Sequence, residues 1–224
     1  MKIVEQSVEI LPVGGILDGV SVIEHLERIG RTCYKSADKI TEGSAEKFVR
    51  GIIKSGHESV IEHVSTSAKF ITSRDVTHQI VRHRLAAQSQ ESQRYCNYSL
   101  EKFGEEVVFV KPVYLNAGTH PYYIWVRSCD QAQSAYFDLI QSGCSAEEAR
   151  AVLPNCCKTE LVMTADLREW RHFFKVRCDK HAQQPIRELA LVLLDKMNTA
   201  IPVVFEDLYE KHQKNIIPLV KQGA

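Results

Sequence analysis

The order of helical and extended apolar patterns along the chain restricts its fold more strongly than any other sequence feature. Apolar residues recur at helical spacing over 20–29, 44–53, 122–142 and 186–199, whereas strand-like patterns are few and short. The strand patterns do not alternate with helices at the spacing of βαβ units, which argues against a doubly wound parallel sheet. This order predicts an α+β fold, with helices packed on a short bent mixed β-sheet, as a single domain with a helical lobe.

Turn residues and local patterns set the other element boundaries. A strand over 2–11 should lead to a turn at Pro12 and Gly14-Gly15, and Ser145 should begin a short helix with Glu148 at the reciprocal position of a capping box. The domain is expected to span 1–215, followed by a frayed tail over 216–224. The remaining expected elements are strands 65–72, 107–113 and 158–165, helices 75–84 and 167–177, and a polar loop 85–98.

Length and charge exclude several classes of protein. A chain of 224 residues buries about 70% of its accessible surface on folding, which is enough for a core without disulfides or a structural metal. Lys plus Arg and Asp plus Glu both number 28, and this zero net charge argues against a dedicated nucleic-acid binder. No apolar run approaches the roughly 20 residues of a membrane span, and the first residues lack the apolar core of a signal peptide. We therefore expect a cytoplasmic protein that binds neither membrane nor nucleic acid.

The cysteines and histidines do not form a pattern of metal ligands. The seven cysteines include no Cys-x-x-Cys pair, and adjacent Cys156-Cys157 suits neither a disulfide nor a chelate. A zinc helix that began at His57-Glu58 would need a second histidine at position 61, which is Ile61. These patterns predict reduced thiols in small buried positions and no bound metal.

Two cationic segments are the candidates for ligand binding. The first is Arg82-His83-Arg84, which precedes a stretch of Gln and Ser side chains that extends to Tyr95. If helix 75–84 forms, Gln79, Arg82 and His83 share one of its faces. Arginine forks match phosphate oxygens, and amide and hydroxyl groups can meet a base or a sugar. The alternative is a solvated surface loop.

The second cationic segment combines basic and aromatic residues on one helix. Trp170, Phe173 and Phe174 alternate there with basic side chains, so one face is aromatic and the other is cationic. Such a helix could form a wall for an anionic aromatic ligand such as a nucleotide or a flavin. The alternative is an amphipathic helix with its basic face in water. The basic residues are Arg168, Arg171, His172, Arg177 and His181.

These segments resemble the flavin-dependent thymidylate synthases. Arg82-His83-Arg84, followed after seven residues by Ser92, is similar to the signature of that family. The resemblance runs in order through roughly residues 1–210, and it includes the segments Gly56-His57-Glu58-Ser59, Arg150–Pro154, Thr164–Arg168 and Arg177–Gln183.

The resemblance implies an activity, its cofactor and an assembly. The activity is the reductive methylation of dUMP to dTMP, with methylenetetrahydrofolate as carbon donor and NAD(P)H as the reductant of FAD. It implies no cysteine nucleophile, and a homotetramer whose active sites are shared between subunits. FAD would be the cofactor, and NADPH and methylenetetrahydrofolate would be co-substrates.

The resemblance also implies a role for each matched residue. Arg177 and His57 would be catalytic, Arg177 by favouring the N3-ionised form of dUMP, and Arg150 would reach the phosphate from a neighbouring subunit. Residues for dUMP would be Gln79, Arg82, Gln90, Glu91, Ser92, Gln93, Arg94, Arg150 and Arg177. Residues for FAD would be His57, Ser59, Arg82, His83, Arg84, Gln90, Asp166, Leu167, Arg168, His172 and His181.

Four positions depart from the family pattern, and a second interpretation stays open. Ala87, Ser89 and Gln90 stand where many members have Ser, Asn and Glu, and Asp166 stands where Asn is common. An anion at Asp166 would oppose the phosphates of a flavin. The alternative interpretation is a non-catalytic nucleotide- or RNA-binding protein that uses the Arg-rich segment. A hydrolase with metal-bound water is a third class, and it would need a carboxylate cluster that the sequence does not suggest.

Overall fold

The computed structural model describes residues 1–11 and 18–222, and the expected turn at Pro12 and Gly14-Gly15 lies outside them. The predicted α+β class is confirmed. The helices are α1 (Gly19–Thr32), α2 (Ser44–Lys54), α3 (Arg74–Ile80), α4 (His120–Gln141), α5 (Ala146–Ala149), α6 (Leu167–Arg177), α7 (Gln184–Ala200) and α8 (Pro202–Gln222). The strands are β1 (Lys2–Val4), β2 (Ser7–Leu11), β3 (Ser65–Ser73), β4 (Ala86–Gln90), β5 (Val108–Val110) and β6 (Lys158–Asp166).

The strands form two sheets. Strands β1 and β5 pair in parallel, with Ile3 opposite Phe109, and the second sheet has the order β2-β3-β6-β4. The expected loop over 85–98 is therefore wrong at β4, which forms an edge of this sheet. Its residues carry no apolar alternation, since an edge strand that pairs through its backbone can leave polar side chains half-buried or exposed.

Helix α3 is shorter than the expected helix over 75–84. It ends at Ile80, so Arg82 and His83 lie beyond it and do not share a helix face with Gln79. Beyond the helix Val81 is 39% exposed and Leu85 is 77% exposed, whereas His83 is 5% exposed.

The C-terminal residues are more ordered than expected. Pro202 ends the α7 pattern by beginning helix α8, where its missing N–H needs no partner. The expected frayed tail over 216–224 is helical through Gln222, and Ile216 is 1% exposed. Among the described residues, no helix is both long enough and apolar enough to span a bilayer.

The backbone falls into two compact units, and the single domain over 1–215 stays a prediction. The first unit contains Met1–Ser7, Phe70–Arg82 and Gln88–Val162. The second contains Val8–Lys69, His83–Ala87 and Met163–Ala224.

Each unit has aromatic residues in its own core. In the first unit Phe109 and Tyr136 are fully buried, and the Tyr136 hydroxyl accepts a hydrogen bond from the backbone N–H of Tyr98 at 3.2 Å. In the second unit Trp170 and Phe174 are fully buried on α6, and Phe205 of α8 packs edge-on against Phe174.

Candidate functional site

A chain of hydrogen bonds in the second unit joins Glu169, His83 and Arg177. The His83 ring is 5% exposed, with Nδ1 3.0 Å from Glu169 Oε1. Its Nε2 accepts a hydrogen bond from Arg177 Nε at 3.0 Å. An arginine Nε–H can only donate, so Nε2 carries no hydrogen and the single ring hydrogen lies on Nδ1, where Glu169 accepts it. The Glu169–His83–Arg177 chain therefore defines one neutral tautomer of the histidine.

The surroundings of His83 favour this neutral form. Burial lowers the pKa of His83 below its ordinary value, and the charges of Arg177 and His172 lower it further, while the Glu169 carboxylate opposes them. The Phe173 ring lies 4.9 Å from the His83 ring and the His172 ring lies 5.8 Å away. Burial also lowers the pKa of the Arg177 guanidinium.

The sequence of α6 explains why Glu169 and Arg177 meet the same ring. Asp166 caps the helix, since its Oδ1 accepts a hydrogen bond from the Glu169 backbone N–H at 2.8 Å. Glu169, Phe173 and Arg177 follow at intervals of four residues, so they lie along one helix face. The segment after α3 places the His83 ring against this face.

Arg171 belongs to the core rather than to a basic face. It is 2% exposed and donates to both carboxylate oxygens of Asp207, each at 2.7 Å, and to the carbonyl of Val204. It also donates to Glu58 Oε1 at 3.1 Å, an oxygen that Lys175 shares. The expected basic face, in water or against a ligand, is therefore wrong for Arg171.

Glu58 is held in its charged form. Partial burial raises the pKa of Glu58, but hydrogen bonds and charges from Lys175 and Arg171 outweigh it and leave this pKa below its usual range. The Gly56–Glu58 segment is therefore tied to α6 through a carboxylate.

Two clefts in the second unit contain several predicted flavin residues. The first has a volume of about 400 Å³, and its walls combine His57, Ser59 and Arg168 with the apolar side chains of Phe48 and Ile52. The second has a volume of about 650 Å³. Its lining includes Glu58, Glu62, Leu85, Asp166, Arg168, Glu169, His172 and Lys175. Arg168 lines both clefts and forms an exposed ion pair with Glu62.

The other predicted flavin residues of the second unit differ in accessibility. Leu167 is fully buried, so its side chain does not face either cleft. Arg84 is exposed, and His181 is exposed with its Nδ1 2.8 Å from Asp179 Oδ1.

In the first unit, Gln90, Glu91 and Gln93 engage their own neighbours. Gln90 Nε2 donates to the hydroxyls of Thr77 and Thr159, at 3.0 and 3.2 Å. Gln93 is 7% exposed and donates to the sulfur of Cys157. Glu91 accepts from the Tyr98 hydroxyl at 2.8 Å and from Lys158 at 2.9 Å. Burial of Gln93 leaves it little contact area for a nucleotide.

Two predicted phosphate residues meet at one acid. Arg94 Nε lies 2.7 Å from the carboxylate of Glu147, and Arg150 Nε donates to the backbone carbonyl of the same residue at 3.2 Å. Ser92 Oγ accepts from the Arg94 backbone N–H at 3.3 Å. Of two other predicted residues of this unit, Gln79 is half-buried and Arg82 is exposed.

Sequence reasoning missed Glu169, although its pattern was visible. An acid placed four residues before Phe173 and eight before Arg177 lies on a mostly apolar face, where it needs a partner. Among the described residues, His83, Glu169 and His172 also bring potential metal ligands within 4.8 Å of one another. Both ring nitrogens of His83 take part in hydrogen bonds to protein groups.

Comparison with known proteins identifies the family to which this fold and site belong. Residues 22–203 match the family model described as thymidylate synthase complementing protein. The matched segment includes all three members of the Glu169–His83–Arg177 chain.

Relatives from three organisms share the name flavin-dependent thymidylate synthase. A flavin-dependent thymidylate synthase of Pyrococcus furiosus is 37% identical over 169 residues, which cover 75% of this chain and 68% of the relative. The protein of that name from Geobacter sulfurreducens is 35% identical over 184 residues, covering 79% and 78%. The one from Mycobacterium tuberculosis is 35% identical over 201 residues, covering 81% and 78%. The chain belongs to the flavin-dependent thymidylate synthase family, which confirms the resemblance and favours an enzyme over the non-catalytic alternative.

Proposed function

We propose that this protein binds FAD and converts dUMP to dTMP, with methylenetetrahydrofolate as the carbon donor and NAD(P)H as the reductant. Membership of the family supports the reaction class. The observation that carries the residue-level proposal is Arg177, a half-buried guanidinium held through Nε by a neutral histidine. The homotetramer with shared sites and the cytoplasmic location stay predictions of the sequence.

The residues of the two clefts suit a flavin nucleotide. Phe48 and Ile52 offer apolar surface to an aromatic ring system, while His57 and Ser59 offer polar groups beside it. Arg168, which lines both clefts, can pair with a pyrophosphate in place of Glu62. When bound, FAD would supply the hydride and electron transfer that no side chain provides.

Two of the residues that the resemblance implies for FAD, Asp166 and Leu167, can offer the cofactor less than a free side chain would. One carboxylate oxygen of Asp166 accepts the hydrogen bond that caps α6, and the same side chain also lines the second cleft. Leu167 can offer a ligand only its backbone. Arg84 and His181 have accessible side chains and stay in the set with His172, while Arg82 and Gln90 of the first unit stay predictions for both ligands.

For the phosphate of dUMP, we propose Arg94 and Arg150, with Arg150 reaching it from a neighbouring subunit as the resemblance implies. Both contact Glu147 through exposed or half-buried groups, and a phosphate dianion can compete with that carboxylate for Arg94. Ser92 and Gln79 stay candidates for the nucleotide, while Glu91 and Gln93 support the segment from within.

We assign the pyrimidine to Arg177. A planar guanidinium can face two pyrimidine atoms, and its positive charge stabilises the anion that forms when N3 loses its proton. Negative charge delocalised towards C5 makes that carbon the nucleophile for the one-carbon unit. His57 stays a second catalytic candidate because it is exposed in the first cleft.

A cysteine nucleophile is not part of the proposal. Cys178 follows Arg177 directly, but it is 2% exposed, and burial raises the pKa of its thiol to about 12. The thiolate that would attack a pyrimidine is therefore scarce at neutral pH.

The test is single-turnover formation of dTMP by FAD-loaded protein with dUMP, methylenetetrahydrofolate and NADPH. Arg177→Lys should lower the chemical rate by about 10²–10³, or roughly 3–4 kcal/mol, because a point charge replaces a planar donor. FAD content should stay near that of the unmodified protein. The matched control is Arg187→Lys, because Arg187 is also half-buried but donates to the backbone carbonyl of Lys180.

Three outcomes would contradict this proposal. Normal rates in Arg177→Lys would remove Arg177 from the chemistry. Loss of FAD from that variant would place Arg177 in the flavin site instead. A colourless unmodified protein that takes up no added FAD would refute the activity itself.

A further inference from the structure

We propose that His83 and Glu169 are positioning residues that orient Arg177 for the nucleotide, and that His83 acts from inside the protein rather than as a flavin ligand. The proposal rests on the proposed function, because it takes Arg177 as the group that meets the pyrimidine. It revises the role that the resemblance implies for the histidine of the Arg82-His83-Arg84 segment.

The hydrogen bonds of His83 leave it no nitrogen with which to bind a flavin. Nδ1 faces Glu169 Oε1 at 3.0 Å and Nε2 faces Arg177 Nε at 3.0 Å. The ring is 5% exposed and packs 4.9 Å from the Phe173 ring. Its two neighbours in sequence, Arg82 and Arg84, are exposed, so the signature segment alternates between outward cations and an inward ring.

Only one protonation state of His83 allows this arrangement. A hydrogen on Nε2 would point at the Arg177 Nε–H, so that two donors faced each other. The doubly protonated ring would add a positive charge beside Arg177 and His172. The Glu169 carboxylate accepts the hydrogen on Nδ1 and thereby favours the neutral tautomer with Nε2 unprotonated over the one protonated at Nε2. Burial of the ring and the neighbouring charges of Arg177 and His172 disfavour the doubly protonated ring.

This acceptor sets the plane of the Arg177 guanidinium. The group is planar, and its Nε–H direction is fixed once Nε2 of His83 accepts it. Arginine otherwise has many side-chain rotamers, so a ligand would have to order it on binding. An Arg177 that is already oriented gives the developing anion a donor without that reorganisation.

The test compares His83→Phe, His83→Gln and Glu169→Leu in FAD-loaded protein. His83→Phe keeps a ring beside Phe173 but removes the acceptor, and it should lower single-turnover dTMP formation by about 10–10²-fold with FAD content preserved. Glu169→Leu should lower it by a smaller factor, since the tautomer is then no longer imposed. His83→Gln can offer an amide oxygen to Arg177 and should recover part of the rate.

A double variant separates positioning from an independent role. If His83 acts through Arg177, then His83→Phe combined with Arg177→Lys should be about as slow as Arg177→Lys alone. The control is His212→Phe, because His212 is also buried in the second unit, at 8% exposure, but has no assigned role. His212→Phe should keep the normal rate.

A spectroscopic readout is independent of turnover. Long-range ¹H–¹⁵N correlation of histidine-labelled protein without substrates should show His83 as the neutral tautomer protonated at Nδ1, and Glu169→Leu should shift it towards the tautomer protonated at Nε2. An Nε2-protonated ring in the unmodified protein, losses that multiply in the double variant, or loss of FAD from His83→Phe would each overturn the positioning role. Unmodified protein that forms no dTMP would refute the proposed function and this proposal together, whereas the three preceding outcomes in active protein refute this proposal alone.

Discussion

Removal of the Arg171 side chain should destabilise the protein far more than removal of an equally well-formed surface pair. In Arg171→Met, the buried guanidinium no longer pairs with Asp207 or Glu58. Loss of one partner from a buried ion pair costs about 3–5 kcal/mol, because the other charge is left without compensation. The side chain of Asp207 is 50% exposed and can be rehydrated, and Glu58 keeps Lys175. We therefore expect the lower end of this range, about 3 kcal/mol.

The matched control is Arg50→Met in the same unit. Arg50 also forms a two-pronged pair with an acid of α8, since its Nε and Nη2 lie 2.7 and 2.8 Å from the two carboxylate oxygens of Glu206. The Arg50 side chain is 43% exposed, however, compared with 3% for Arg171. Exposed pairs of this kind contribute about 1 kcal/mol or less. The two arginines thus have nearly the same hydrogen-bond geometry with their acid of α8, and they differ in how deeply the arginine side chain is buried.

The measurement is urea unfolding followed by tryptophan fluorescence, together with thermal unfolding. A loss of about 3 kcal/mol corresponds to a fall in Tm of roughly 6–12 °C for a chain of this size. High salt should remove the small effect of Arg50→Met and leave that of Arg171→Met, since buried pairs are poorly screened. Equal losses in the two variants, or a loss below about 1 kcal/mol for Arg171→Met, would refute the assignment of Arg171 to the core.

Two further predictions concern buried titratable groups. Burial lowers the pKa of both His83 and His212, so the unfolded chain binds protons first as the pH falls. The contribution of each ring to the free energy of unfolding should therefore be complete above about pH 6.5 and should decline as the pH falls towards the folded pKa, which urea midpoints between pH 7.5 and 5 can follow; a flat profile in this window would contradict it. Cys178→Ala should cost about 1 kcal/mol of stability and leave dTMP turnover in folded protein unchanged, whereas inactive protein that still holds FAD would indicate a thiol nucleophile.

The sequence alone located the helices that bury an apolar stripe. Helix α6 begins and ends at the predicted residues, Leu167 and Arg177, because its capping acid and its aromatic spacing are both local signals. The capping box at Ser145 and Glu148 was likewise predicted and is confirmed. In these segments, the residues that define the element are neighbours along the chain.

The predictions from sequence are wrong where the group that stabilises a segment or side chain lies far away along the chain. Strand β4 is polar, and its pairing with β6 is what makes it a strand. Arg171 looked like one more surface cation, but its acceptors Glu58 and Asp207 lie 113 and 36 residues away. Helix α3 stops at Ile80, and the segment after it buries His83 against Glu169, a partner 86 residues away that a helical pattern over 75–84 does not disclose.

The sequence identified the cationic residues of the candidate site as a group, but it could not predict which partner each of them contacts. Three arginines of α6 have the same formal charge and different partners. Arg168 donates to the exposed carboxylate of Glu62, the buried Arg171 donates to the carboxylate of Asp207, and Arg177 donates its Nε–H to the neutral ring of His83.

The hydrogen bond from Arg177 to His83 differs from these ion pairs in its effect on the charge of the arginine. A carboxylate partner offsets the charge of an arginine, and a ligand anion must then compete with that carboxylate. A neutral imidazole acceptor orients the guanidinium without offsetting its charge, so this hydrogen bond costs Arg177 none of its attraction for an anion. Partial burial of Arg177 lowers the local screening and strengthens the same attraction. The carboxylate of Glu169 contacts Nδ1 of His83, so the imidazole ring stands between it and Arg177. Glu169 therefore fixes the tautomer of His83 while lying farther from Arg177 than a directly bonded carboxylate would.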